Sequence, residues 1–122
     1  MHNFQGIVPY LFYDDVAAAI TWYTNVFGFK ERSRWENDQG VVQNAEMQVG
    51  NTEIWMDGGG AREETDKRPT WIGVWVDDVD RMYEQISQAG VNCEPPENKA
   101  YGVRTFNVAD EFGHLWGFMK RI

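Results

Sequence analysis

The stretch Leu11-Phe12-Tyr13-Asp14-Asp15-Val16 returns 63 positions later as Val74-Trp75-Val76-Asp77-Asp78-Val79. In each copy an apolar segment runs into two aspartates and a helical pattern, and a glycine and further strand-like segments follow. Self-similarity of this kind predicts one supersecondary unit used twice. The repeat therefore predicts two modules, residues 1–60 and 70–122, within a single domain of 122 residues.

The first module has the pattern β-α-β-β-β. Residues 6–13 form an apolar run rich in aromatic and β-branched side chains, which predicts a strand. Either of the two following aspartates can cap a helix, whose apolar residues recur at helical spacing until Gly28 ends it. Residues 29–57 alternate in short runs interrupted at Asp38-Gln39-Gly40 and Gly50-Asn51, which predicts three antiparallel strands joined by tight turns.

The second module repeats this order after a polar, glycine-rich linker at residues 58–69. A strand at residues 70–76 leads to a helix that ends at Ala89-Gly90. Pro95 and Pro96 predict irregular structure before Tyr101. The remaining strands are predicted at residues 91–94, 104–108 and 115–120.

The composition excludes several classes of partner. A net charge of −8 disfavours nucleic acid and anionic membranes, which need clustered basic residues. No apolar run approaches the ~20 residues of a membrane-spanning helix, and residues 1–5 do not read as a signal peptide. A soluble cytoplasmic protein is expected. Cys93 is the only cysteine, so a disulfide framework or a thiolate zinc cluster is not expected within one chain.

Three segments carry a family resemblance: residues 13–23 (Tyr-Asp-Asp-Val-Ala-Ala-Ala-Ile-Thr-Trp-Tyr) followed by Phe27-Gly28-Phe29, residues 101–106 (Tyr-Gly-Val-Arg-Thr-Phe) and residues 110–116 (Asp-Glu-Phe-Gly-His-Leu-Trp). Their order and spacing resemble the glyoxalase/bleomycin-resistance superfamily, also called vicinal oxygen chelate proteins. The resemblance implies an α+β fold of paired βαβββ modules, forming an eight-stranded, partly open barrel-like mixed sheet with helices on the outer face. It also implies a cavity on the concave face and a homodimer.

The resemblance also locates the positions where metal-dependent members carry His, Glu or Gln ligands: Val8, Trp55, Trp71 and Gly117. Valine and glycine have no donor atom, and indole offers only an N–H, so these residues cannot supply the ligands of a catalytic divalent ion. No metal, no other cofactor and no catalytic residue is therefore expected.

Strand parity predicts what lines the cavity instead. Alternate residues of a strand share a face, so the parity of Val8 includes Tyr10 and Phe12, and that of Trp71 includes Trp75. An aromatic pocket suits a flat apolar or cationic guest. The predicted ligand-binding residues are Tyr10, Phe12, Glu46, Trp55, Trp71, Trp75 and Tyr101, with Val8 and Gly117 leaving a gap that Trp55 and Trp71 border.

Two functions from different classes follow. The favoured one is a metal-free protein that sequesters a planar aromatic, neutral or cationic, antibiotic-type small molecule and so confers resistance or carries the compound. The alternative is a metal-dependent lyase, isomerase or dioxygenase with displaced ligands drawn from Glu46, Glu53, Asp57 and His114.

Other residues are given structural roles. The two aspartate pairs are expected to cap helices, Trp22 and Trp116 to lie in the core or an interface, and His114 to hydrogen-bond a loop behind the sheet. Arg104 is expected to anchor a loop through Asp110 or to meet an anionic part of a ligand. Trp71 and Trp75 could themselves be core residues, and Trp35 has no assigned role. Pro9 fits an edge strand placed against, or exchanged with, a second copy of the chain.

Overall fold

The computed structural model describes residues 3–58 and 70–122 and divides the chain into two compact units, residues 1–63 and 64–122. The linker predicted at residues 58–69 lies, apart from Gly58, outside the described residues. Each unit contains one βαβββ module, which confirms the α+β class and the duplication. Within the described residues each module has one open four-stranded sheet, and neither sheet closes into a barrel.

The first module contains β1 (Tyr10–Phe12), α1 (Val16–Trp22), a π-helical turn (Tyr23–Phe27) that continues α1, β2 (Lys30–Glu36), β3 (Val42–Val49) and β4 (Thr52–Asp57). The sheet order is β1-β4-β3-β2, with β1 parallel to β4 and the other pairs antiparallel. The first strand is shorter than the predicted residues 6–13. It begins only after Pro9, which has no N–H to donate.

The second module contains β5 (Trp71–Trp75), α2 (Val79–Gln88), β6 (Glu97–Lys99), β7 (Val103–Ala109) and β8 (Leu115–Arg121). Its order, β5-β8-β7-β6, repeats the first sheet strand for strand, again with one parallel pair. Two local predictions were wrong: residues 91–94 form no strand, and β6 lies in the segment after Pro96 that was expected to be irregular.

Both helices begin as the repeated aspartates predicted. The carboxylate of Asp15 accepts a hydrogen bond from Ala18 N at 3.0 Å, and that of Asp78 accepts one from Arg81 N at 3.0 Å. Gly28 ends the first helical segment with φ of 79°, a left-handed conformation that glycine adopts without steric cost. The second aspartate of each pair is thus the cap, and the pairs need no catalytic explanation.

Each helix packs on one face of its own sheet, α1 on β3 and α2 on β7 and β8. The strand residues of that face are buried, as Met47 and Met56 in the first module and Trp116 and Phe118 in the second show. Because strand side chains alternate, the residues between them point to the opposite face of each sheet. That opposite face carries the candidate site residues.

Candidate functional site

The exposed face of the first sheet carries an aromatic group around Trp55. In β4, Ile54 and Met56 are buried on the helix side, whereas the Trp55 side chain between them is 40% exposed. Tyr10 is the register partner of Trp55 across β1, and their rings make an edge contact with centroids 6.4 Å apart. Phe12 makes a second edge contact with Tyr10 at 5.4 Å. Parity therefore placed these three aromatic residues correctly on one face.

A concavity of about 250 Å³ lies on this face, with Tyr10, Trp35, Asn44, Glu46 and Trp55 among its lining residues. Glu46 is the register partner of Trp55 on β3, and its carboxylate accepts a hydrogen bond from the Ser33 hydroxyl at 3.2 Å. No basic group among the described residues lies within ion-pair distance of Glu46. An open indole and an uncompensated carboxylate therefore stand side by side.

Trp35 is the aromatic lining residue of this concavity that the sequence did not place. It lies on β2, where Lys30–Glu36 is mostly polar and the pairing with β3 shifts register between Glu31 and Ser33 and again between Trp35 and Glu36. A register shift reverses which side chains share a face, so simple alternation could not assign Trp35. Its pairing with Asn44, which is on the Glu46 side of β3, would have assigned it.

The Tyr10 hydroxyl is held by a hydrogen bond that shifts its pKa. Its hydroxyl donates a hydrogen bond to Asp57 Oδ2 at 2.6 Å. That hydrogen bond to a carboxylate, followed by burial and the negative charge of Asp57, raises the pKa of Tyr10 above its usual value. The phenol therefore stays protonated and fixed to β4.

The exposed face of the second sheet is organised around Trp71. A β-carbon added to Gly117 would lie 2.3 Å from Cζ2 of the Trp71 indole, and one added to Gly73 would lie 2.7 Å from its Cη2. Gly73 and Gly117 are register partners, so the ring lies across a pair of glycines. Its Nε1–H donates to Asn107 Oδ1 at 3.0 Å, and 49% of the residue remains exposed. The prediction of a gap beside Gly117 is therefore wrong, because the Trp71 indole itself occupies that space.

A second concavity, of about 420 Å³, lies on this face and is lined among others by Trp71, Trp75, Lys99, Tyr101, Asn107 and Arg121. The guanidinium carbon of Arg121 lies 4.5 Å from the ring centroid of Trp75, a cation–π contact. Tyr101, in the turn before β7, is 76% exposed. The predicted residues Trp71, Trp75 and Tyr101 thus line one concavity of the second module.

The residues proposed as displaced metal ligands do not form a ligand set. Glu53 and Asp57 lie four residues apart on β4, which places their Cα atoms roughly 13 Å apart. His114 is buried, on the parity of the buried Trp116, and its Nδ1 lies 3.4 Å from the Thr70 hydroxyl, so it faces away from the exposed side of the second sheet. Within residues 3–58 and 70–122, no group of three or more His, Cys, Asp or Glu side chains could hold a metal ion.

Arg104 has a structural role, and the thiol of the single cysteine, Cys93, is not activated. Arg104 does not reach Asp110 as expected; its guanidinium forms two hydrogen bonds with the Asp80 carboxylate, at 2.8 and 3.0 Å, and so joins β7 to α2. Burial raises the pKa of the Cys93 thiol, so the thiolate needed by a nucleophile is disfavoured.

The chain belongs to the Glyoxalase/Bleomycin resistance protein/Dioxygenase superfamily, whose family model matches residues 5–118. The match confirms the family that the three sequence segments resemble. This superfamily includes metal-dependent members, but the four positions where the resemblance placed ligands hold a valine, two tryptophans and a glycine. The side chains present do not fit a metal centre there.

Individual proteins are similar to this chain in fold or in sequence. TioX from Micromonospora sp. ML1 superposes with a TM-score of 0.77 at 26% identity, covering 96% of this chain and 100% of that one. The fosfomycin resistance protein FosX of Listeria monocytogenes superposes with a TM-score of 0.73 at 16% identity, covering 98% and 96% of the two chains. An uncharacterised protein of Mycobacterium tuberculosis H37Rv is 29% identical over 121 residues, covering 91% of this chain and 71% of its own length. Among the described residues, no helix has the length and apolarity needed to cross a membrane.

Proposed function

We propose that this protein binds, and by binding sequesters, a planar aromatic small molecule, neutral or cationic, without using a metal ion. The observation that carries the proposal is the pairing of Trp55 with Glu46 across β4 and β3 on an exposed sheet face. Directly opposed residues of neighbouring strands have Cβ atoms about 5 Å apart, so one guest can touch both side chains.

The chemistry of this pair selects the guest. The face of an indole stacks on flat rings and attracts cations, and a carboxylate beside it favours positive charge further. Tyr10, Phe12 and Trp35 extend the aromatic surface of the first sheet, and Trp71, Trp75 and Tyr101 offer a comparable surface on the second. Binding is favoured over turnover because neither face presents a set of metal ligands or an activated nucleophile among the described residues. A fosfomycin resistance protein with the same fold is consistent with a role in drug resistance.

The binding test uses two nearly isosteric probes, the N-methylacridinium cation and neutral acridine. Their binding is measured by tryptophan fluorescence and calorimetry. The native protein should bind both and prefer the cation by about 3- to 10-fold, as expected for one cation–π contact and one exposed ion pair. Trp55→Ala should weaken both probes, and Glu46→Gln should remove only the preference for the cation. Glu84→Gln, which removes an equal charge from the exposed side of α2, is the matched control and should change neither.

Absence of binding by either probe would contradict the proposal. Stoichiometric metal in protein purified without chelators would support the metal-dependent alternative instead.

Self-association is part of the same proposal. β1 is an edge strand of its sheet and follows Pro9, and exposed edges invite pairing with a second chain. We expect sedimentation velocity to give a dimer at micromolar concentration, and a monomer would count against it.

A further inference from the structure

We infer that the exposed face of the second sheet is a binding site for a planar aromatic anion, whose ring stacks on Trp71 and whose carboxylate pairs with Arg121. The inference extends the proposed function to a guest of opposite charge, and it rests on that function only for the premise that flat rings stack on Trp71. Four observations in the second module support it.

Trp71 is a fixed platform rather than a mobile surface side chain. Its indole lies against the backbone of Gly117, where a β-carbon would meet only this ring within the nearest contacts, and it shares the space above Gly73 with the Met119 methyl group. The Nε1–H bond to Asn107 fixes the rotation of the ring within that plane. Because half of the residue is still exposed, the outer face of the ring is open to stack on a guest, and little ordering entropy remains to be lost on binding.

Arg121 supplies a positive charge that no carboxylate of residues 3–58 or 70–122 neutralises. Its guanidinium lies over the Trp75 ring, and in the described part of the chain no acidic side chain lies within ion-pair distance of it. A guanidinium that stacks through its face keeps its N–H groups at the edge, which is where a carboxylate binds in a two-point contact. The aromatic ring thus orients the guanidinium and leaves its donors available.

The charged side chains that line this concavity have the opposite sign to the one that lines the concavity of the first module. Of the residues that the structure describes, Lys99 and Arg121 are its charged lining residues, and no acidic side chain lines it. Lys99 is paired with Glu97 at 2.8 Å, so Arg121 holds the charge that remains unpaired. In the first module the charged lining residue is Glu46. The two faces therefore share aromatic platforms and differ in the charge they favour.

The spacing along the strands defines the size of the guest. The benzene part of the Trp71 indole lies over the Gly73–Gly117 pair, and Trp75, which carries the guanidinium, is paired with Met119 two residues further along. Two residues of a strand span about 7 Å. A two-ring aromatic carboxylate such as 2-naphthoate can therefore cover Trp71 and reach Arg121.

The test compares 2-naphthoate with neutral 2-naphthamide, which has the same rings and shape, by calorimetry at low salt. The native protein should bind the carboxylate about 3- to 10-fold more tightly than the amide, the range expected for one exposed charge-assisted contact. Arg121→Gln should abolish that preference while leaving the amide affinity unchanged within about 2-fold, and Arg121→Lys should restore part of it.

Lys120→Gln is the matched control, because Lys120 precedes Arg121 on β8, carries the same charge and has the opposite strand parity. If Lys120→Gln lost as much naphthoate affinity as Arg121→Gln, the effect would be only long-range attraction between the protein and the anion, and the inference would be overturned. Equal affinities of the native protein for both probes, or no binding of naphthoate, would also overturn it. Equal affinities would leave the proposed function standing, whereas naphthoate binding without any acridinium or acridine binding would overturn the proposed function and leave this inference standing.

Discussion

Trp71 and Gly117 are in direct contact across β5 and β8, with the indole covering the place that a side chain on residue 117 would occupy. Most positions on the open face of a sheet accept many side chains, but Gly117 is buried beneath the ring. The glycine and the tryptophan therefore act as a unit: the first gives the ring a flat floor, and the second covers backbone that would otherwise be open to water.

Gly117→Ala tests this unit. The added β-carbon would lie 2.3 Å from Cζ2 of the indole, so the ring must leave the sheet and its bond to Asn107 must break. We expect a destabilisation of about 1–3 kcal/mol, typical of overpacking, measured by urea unfolding. The Trp71 indole N–H signal in a ¹⁵N–¹H spectrum should move toward its position in Asn107→Ala. In the background of Trp71→Ala the same alanine should cost much less, and an equal cost would show that the ring is not the obstacle.

Alanine variants of Trp71 and Trp116 should differ in stability, because Trp71 is a binding platform and Trp116 is a core residue. Trp116 is fully buried at 0% exposure, so Trp116→Ala should cost about 3–5 kcal/mol of stability or prevent folding. Trp71 is already half in water, so Trp71→Ala should cost about 1–2 kcal/mol and leave the protein folded, as near-ultraviolet circular dichroism would show. Binding of an aromatic ligand should weaken by about 1 kcal/mol or more in Trp71→Ala. Unfolding of Trp71→Ala would instead identify this residue as core.

Asp110 is predicted to be the most sensitive polar residue of the second module. Its Oδ1 accepts hydrogen bonds from the backbone N–H groups of Phe112 and His114, and its Oδ2 accepts one from the Trp116 indole at 2.9 Å. Asp110→Ala leaves buried donors without acceptors and should cost about 2–4 kcal/mol in urea unfolding. Asp110→Asn keeps one oxygen, so its cost should be about half as large. Equal stability of both variants would contradict this account.

Local sequence patterns predicted most of the fold and part of the site. The repeated aspartates, the helix stop at Gly28 and the alternation around Trp55 and Trp71 depend on neighbouring residues, so they can be read without a structure. β6 could not, because its sequence Glu-Asn-Lys has no apolar alternation and it is defined only by backbone pairing with β7.

The missed features of the site depend on contacts between distant residues. The Arg104–Asp80 pair joins residues 24 positions apart, and the strand repeat contains no signal for it. The face of Trp35 could not be predicted, because β2 contains two register shifts. The position of the Trp71 ring over Gly117 depends on a side-chain torsion, and parity gives the face of a strand but not the direction in which a large side chain lies on it.

The ion pair between Arg104 and Asp80 makes a pH-dependent contribution to the attachment of α2. The hydrogen bonds from the Arg104 guanidinium hold the pKa of Asp80 below its ordinary value of 3.8. A carboxylate whose pKa is lower in the folded state stabilises that state above the ordinary value, and the contribution is lost as the pH falls through the lowered pKa. We therefore expect Asp80→Asn to lower the urea midpoint at roughly pH 5 to 7, and the difference from the native protein to vanish well below about pH 4.

Arg104→Gln should follow the same pH dependence, and exposed Asp77, which forms no ion pair among the described residues, provides the control Asp77→Asn. A difference between native protein and Asp80→Asn that stays constant down to the lowest pH would show that Asp80 acts through packing or helix formation and not through its charge.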